Sequence, residues 1–275
     1  MNPVFRLLLI TFIAAALAAC QRDAEAPARA PEPAVAETPA EAPATPAPIE
    51  LKDVIENDAR YVIGISYPPG IDRHPGLAKA LSDYVASARG QLMEAVDGLG
   101  NDKPTAPYEL SLGFEKTVDT PQWVVVSADG SLYTGGAHGQ PLIERFVWQP
   151  QQERMLRIED LIADQGGWQS LSDFINEQLM TGVSLRADAD ELEGDERARV
   201  LKSAARMIEA GTAAKPENFA RFVPVLDATG HISALRFVFP PYQVGPYSDG
   251  TQTVDVPAAV LRPHITPAYA ALFAG

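Results

Sequence analysis

The chain has 275 residues, 46% hydrophobic and 21% charged, with a formal net charge of −14. That length accommodates one large or two small domains with real cores, and the acidic balance argues against nucleic acid and anionic membrane surfaces as partners, while fitting a cationic partner or plain solubility. A single cysteine, Cys20, excludes an internal disulfide framework.

Residues 1–19 read as a leader. Arg6 supplies the positive start, and Leu7 to Leu17 is apolar apart from Thr11, too short for a comfortable transmembrane helix. It ends Leu17-Ala18-Ala19-Cys20, which resembles a bacterial lipobox. The expectation is cleavage before Cys20 and lipidation of its sulfur; the alternative is an ordinary secretory leader. Several acyl chains on that cysteine anchor stably, where one is marginal. Residues 20–49 are dominated by Ala, Pro and Glu and cannot bury enough surface to offset the entropy of ordering. They read as a disordered tether of polyproline II character, reaching on the order of 90 Å. Gln21, where aspartate commonly marks inner-membrane retention, leads to the expectation of a periplasm-facing outer-membrane lipoprotein if the source is Gram-negative.

Residues 60–67 (RYVIGISY) alternate with Tyr61, Ile63, Ile65 and Tyr67 on one face, which predicts a strand. Pro68-Pro69-Gly70 ends it, and Pro75 opens a helix carrying Leu77, Leu81, Tyr84, Val85, Ala88, Leu92 and Val96 until Gly98 and Gly100. Residues 108–114 alternate again, and the continuous apolar run Trp123 to Val126 predicts a more buried strand. Another strand follows over residues 142–148. Two helical faces come next, Trp168, Leu171, Phe174, Ile175 and Leu179, then Val200, Leu201, Ala204, Met207 and Ile208. Between them, DADELEGDE (188–196) invites an EF-hand reading, but Glu193 stands where that loop needs glycine, so it reads as a solvated acidic loop. Residues 222–226 and 232–239 around Asp227-Ala228-Thr229-Gly230 form a hairpin, residues 253–256 a short strand, and a last helix includes residues 268–273.

Two loops stand out. SLYTGGAHGQ (131–140) joins two strands with almost no side chain. Gly135 and Gly136 serve a positive φ or a close backbone approach, and His138 is either a bystander or part of a site. PPYQVGPYSDG (240–250) projects Tyr242 and Tyr247 from a Gly/Pro frame that includes Pro246, an arrangement suited to partner binding.

Taken in order, the leader, YTGGAHG, FVWQPQQERMLRIEDLI, two helices, and a hairpin running into FPPYQVGPYSDG and TVDVP resemble the extracytoplasmic region of the RsiV-type, lysozyme-sensing anti-sigma factors. A similar module precedes the catalytic domain of PdaC-type peptidoglycan deacetylases. The resemblance covers nearly everything from Arg60 to His264. It implies an α+β fold of antiparallel sheets with packed helices in two consecutive sub-domains, a strand-helix-strand unit at 50–139 and an RsiV-like domain at 140–275. It also implies a wall-associated or protein partner. With a lipid anchor in place of a transmembrane helix and cytoplasmic segment, and no catalytic domain, neither sigma release nor deacetylation is expected.

The search for chemistry is mostly negative. HExxH, GxSxG, Walker and dinucleotide-binding motifs are absent, and His74, His138, His231 and His264 show no local ligand spacing. Ser131, Thr134 and His138 lack a nucleophile elbow or an orienting acid in sequence. No metal or cofactor is expected. The sequence therefore suggests a non-enzymatic, lipid-anchored envelope binding protein for a lysozyme-type muramidase or another wall ligand such as peptidoglycan. The alternatives are an envelope hydrolase using His138 and a structural wall-tethering lipoprotein.

Overall fold

The computed structural model describes residues 49–162 and 164–275. The leader, Cys20 and nearly all of the tether lie outside the described residues. Within them, no helix is long and apolar enough to cross a membrane.

The first layer is a six-stranded sheet in sequential order, β1 (Val54–Asn57), β2 (Tyr61–Ser66), β3 (Tyr108–Asp119), β4 (Val124–Tyr133), β5 (Gln140–Gln149) and β6 (Arg154–Met155). All neighbours are antiparallel except β2 and β3, which are parallel because helix α1 (Pro75–Gly98) carries the chain back across the sheet. Pro75 occupies the first turn of α1, where its missing N–H costs nothing, and Leu77, Leu81, Ala88, Leu92 and Val96 are buried along one stripe. A fully buried leucine of this kind contributes roughly 1.5–3 kcal/mol. Tyr84 of α1 sits edge-on to Phe114 and Phe146. Burial, then the Glu144 carboxylate, pushes its phenol up to about 12. Sequence reading passed over β1. It is short, its Ile55 is 83% exposed, and what holds it is nonlocal: its ladder with β2 and a bidentate Arg89–Glu56 pair at 2.7 and 2.8 Å.

The apolar run at the start of β4 explains the position of the second layer. Val124, Val126 and Ala128 face α1, while Trp123 and Val125, with Val147 of β5, face the opposite core. A strand sandwiched on both faces has no polar side, so its pattern reads as continuous rather than alternating. Onto that second face pack α2 (Ile158–Leu161), α3 (Gln165–Ala189), α4 (Gly194–Gly211), the three-stranded antiparallel sheet β7 (Phe222–Leu226), β8 (Ile232–Phe239) and β9 (Gln252–Pro257), and α5 (Ala258–Leu261). Asp164 caps α3, accepting from the Gly167 N–H at 2.7 Å. The DATG turn is held by Asp227 Oδ1, which accepts from Thr229 N, Thr229 Oγ1 and His231 N at 2.8, 2.6 and 3.0 Å.

The first sheet continues beyond residue 140, since β5 pairs with β4 from Gln140 onward and β6 adds a further edge. Two expectations are corrected. The acidic loop is shorter than 188–196. Asp188 and Ala189 end α3, and Asp195 and Glu196 lie in the first turn of α4, where carboxylates favour the helix dipole. Finally, residues 268–273 contain only a 3-10 turn, Ala270–Leu272, because Phe273 is drawn into a bridge with Ile232 and Ala274 N donates to Ile232 O at 2.9 Å.

Candidate functional site

The β4–β5 hairpin ends in a tip at 134–139. Gly135 and Gly136 have φ of 100° and 97°, left-handed values that L side chains rarely adopt. A Cβ on Gly136 would meet nothing within 4 Å, so conformation rather than crowding demands the glycine there. The Tyr133 hydroxyl donates to the Gly136 carbonyl at 3.3 Å and folds the tip over its own stem. His138 leaves this tip into solvent, with Nδ1 at 3.4 Å from the Gly139 carbonyl.

The 240–250 loop follows β8 and is built differently. Val244 is buried, and the Gln243 side-chain amide donates to the Gly211 and Asn218 carbonyls at 3.1 and 2.8 Å. Gly211, at the end of α4, has no room for a side chain: a Cβ there would lie 2.0 Å from the Gln243 carbonyl oxygen. Docked in this way, the loop turns back at Tyr242, whose N–H donates to the Gly245 carbonyl at 2.9 Å. Tyr242 itself is at φ 74°, a conformation that costs a non-glycine residue on the order of 1–3 kcal/mol and that surrounding contacts must hold.

The two segments meet. The Tyr242 hydroxyl lies 2.7 Å from His138 Nε2 across 104 residues of sequence. The Tyr247 ring stacks on the imidazole with centroids 4.0 Å apart and planes at 13°, and Tyr242 and Tyr247 are 5.7 Å apart at 41°. In the tautomer that directs Nδ1–H to the Gly139 carbonyl, Nε2 accepts a hydrogen bond from the Tyr242 hydroxyl. This aromatic group remains open to solvent, Tyr242 at 54% and Tyr247 at 37% exposure. Large, rigid amphipathic rings held in place at a surface suit binding. Among the described residues, neither Ser131 nor Thr134 is hydrogen-bonded to His138, whose side-chain partners are the Tyr242 hydroxyl and the Gly139 carbonyl.

Of the residues singled out in sequence, His138, Tyr242 and Tyr247 come together, and Gly135 and Gly136 shape the tip that presents His138. Pro246 instead lines a cleft between α3 and α4. Cys20 lies outside the described residues. The other histidines are elsewhere: His74 precedes α1, His231 bonds to Thr229 at 2.7 Å, and His264 lies 4.0 Å from Asp164. Among the described residues no group of His, Cys, Asp or Glu is arranged to hold a metal. Sequence reading missed Gln243 and Gly211 as positioning residues. Gly211 gave a signal, but it reads equally well as an ordinary helix stop.

Residues 159–259 match the family model described as a protein of unknown function, DUF3298. The chain is 20% identical over 215 residues, 78% of its own length, to the peptidoglycan-N-acetylmuramic acid deacetylase PdaC of Bacillus subtilis (strain 168), and spans 41% of that protein. Among solved structures, a DUF3298 family protein from Pseudomonas aeruginosa PAO1 is similar with a TM-score of 0.51 and 15% identity, over 83% of this chain and 98% of that one. A DUF3298 family member from Bacteroides fragilis NCTC 9343 gives 0.47 and 13%, over 79% and 94%. The residues matched by the DUF3298 model include the tyrosine loop, and the likeness to the Pseudomonas aeruginosa structure is one of fold. The His138 hairpin lies before the matched residues.

Proposed function

We propose that this chain is a non-enzymatic, lipid-anchored envelope protein that binds a lysozyme-type muramidase through the face formed by His138, Tyr242 and Tyr247. The observation that carries the reading is that face itself: two loops far apart in sequence converge to hold three aromatic rings at the surface, one on a backbone conformation that tertiary contacts must stabilise. Interface anchors are enriched in such residues, presented rigidly so that little entropy is lost on binding. The acidic balance of −14 favours a basic partner. Similarity to a protein named as a peptidoglycan deacetylase supports an extracytoplasmic location, in keeping with the leader and Cys20. The resemblance to RsiV-type sensors supplies the muramidase as the partner to try first.

Calorimetry of the full chain against a c-type lysozyme at low salt tests this reading. Binding is expected, with association slowed by added salt. Tyr242→Ala and Tyr247→Ala should each raise the dissociation constant about 30-fold, the equivalent of ~2 kcal/mol, mainly through faster dissociation. Absence of lysozyme binding alongside retention on purified peptidoglycan would transfer the site to the wall polymer. Full binding by both tyrosine variants would remove this face as the site. Cys20→Ser should abolish lipid labelling and release the protein from membranes; a mutant that stays integrally bound would refute the anchor.

A further inference from the structure

Beside the tyrosine loop, α3 and α4 enclose a mostly apolar cleft of about 370 Å³, lined by Val183, Ala187, Val200, Ala204, Met207 and Pro246. Its cause lies in sequence. Val183 and Ala187 on α3, and Val200, Ala204 and Met207 on α4, recur at helical spacings and so share facing stripes. Those stripes include two alanines, Ala187 and Ala204, with Ser203 also in the lining, small side chains that leave space a leucine would fill. Val200 stays 39% exposed, while Ile208 on the same helix is buried.

We infer that this cleft seats one large apolar side chain of the same basic protein partner, and so extends the binding face. The inference rests on the reading above. Two observations select this occupant. The first is continuity: Pro246 and Asp249, which bracket Tyr247 in sequence, line the cleft, so one docked loop supplies both the aromatic face and the cleft wall. The second is charge. Asp190 and Asp249 stand at the cleft, Asp249 paired with Arg186 at 3.4 Å, and the adjoining turn adds Asp188, Glu191 and Glu193 around Arg197. An apolar floor within a predominantly acidic rim matches an apolar side chain flanked by lysine or arginine, and opposes an acidic peptide or an anionic lipid. The volume is at the low end for ligand sites, enough for a side chain rather than an extended helix.

Two substitutions in the full chain test this, with a c-type lysozyme as the probe. Ala204→Phe fills the cleft from within. Val200→Lys, at an exposed position, places a positive charge against a basic partner. Each should weaken lysozyme binding about tenfold or more by calorimetry, with the melting temperature held or, for Ala204→Phe, raised. Should Ala204→Phe lower the melting temperature, Val200→Lys decides. Affinities within twofold of the parent for Val200→Lys, while Tyr242→Ala still weakens binding, would overturn the cleft and leave the aromatic face intact. Absence of parent binding to lysozyme would instead remove the reading on which the cleft depends.

Discussion

The hairpin tip at 134–139 and the loop at 240–250 deliver rings to the same point by opposite means. The tip is self-supporting: two consecutive glycines at positive φ and a tyrosine reaching over its own stem set its shape, and a Cβ on Gly136 would touch nothing. The tyrosine loop is supported from outside, by Val244 in the core, by the Gln243 amide on α4 and the following turn, and by a glycine on α4 that lets the backbone in. A local device tolerates change in its neighbours but not in its own backbone. A docked device is sensitive to residues far from it in sequence. The face that results is rigid on one side because of φ, and on the other because of packing.

The largest expected effect comes from breaking the docked side. Gly211→Ala puts a Cβ 2.0 Å from the Gln243 carbonyl oxygen, so the loop or α4 must shift. A loss of about 2 kcal/mol or more in urea denaturation is expected, because backbone overlap cannot be relieved by a rotamer change. The Tyr242 and Tyr247 ring signals should also broaden or move by NMR. An unchanged midpoint would mean that the loop is not seated on α4 as described.

Next is the self-supporting side. Gly136→Ala and Gly136→Val should both destabilise by about 1–2 kcal/mol, since the cost lies in φ rather than in contacts. The signature that separates the two loops is that Gly136 variants disturb His138 but leave the Tyr247 environment largely intact. If Gly136→Val matched the parent in denaturation, the tip would be an ordinary flexible turn.

A smaller effect tests the junction. Tyr242→Phe removes only the hydroxyl facing His138 Nε2. For an exposed pair the loss should be about 0.5 kcal/mol. A double-mutant cycle with His138→Ala should show that most of it is coupling between the two. Additive single effects would show that the rings merely lie close.

The smallest concerns the stem of the docked loop, where Arg236 of β8 and Asp255 of β9 are directly opposed and pair at 2.7 and 2.8 Å. The Arg236 hydrogen bond, then its charge, holds the Asp255 carboxyl below its ordinary value of 3.8. A depressed folded pKa stabilises above the unfolded value, and the gain fades as pH falls through the folded one. Both side chains are more than a third exposed, at 49% and 44%, so solvent screening leaves about 0.5 kcal/mol or less. Asp255→Asn should therefore cost that much at neutral pH and nothing in strong acid, read as denaturation midpoints converging below pH 3.8. Equal costs at both pH values would assign the effect to packing instead.

Much of the fold was legible because its signals are local. Alternation marked β2 and the start of β3, Pro75 and the leucine stripe marked α1, and DATG marked the β7–β8 turn, since each depends on residues within one turn or one strand of each other. What stayed hidden was set at a distance. β1 exists through β2 and Arg89, β5 belongs with the first sheet through its ladder to β4, and the last expected helix gives way to a bridge with β8.

The candidate site divides the same way. Sequence alone determined that 131–140 is a glycine-dominated connection and that 240–250 presents tyrosines, because backbone freedom and side-chain chemistry belong to the residues themselves. Tertiary structure decided that these are one place. It brought His138 Nε2 to 2.7 Å from the Tyr242 hydroxyl by packing the second layer onto Trp123, Val125 and Val147 of the first sheet. Nothing in either loop specifies the other, since that distance is set by the thickness of the core between the two layers rather than by any spacing along the chain.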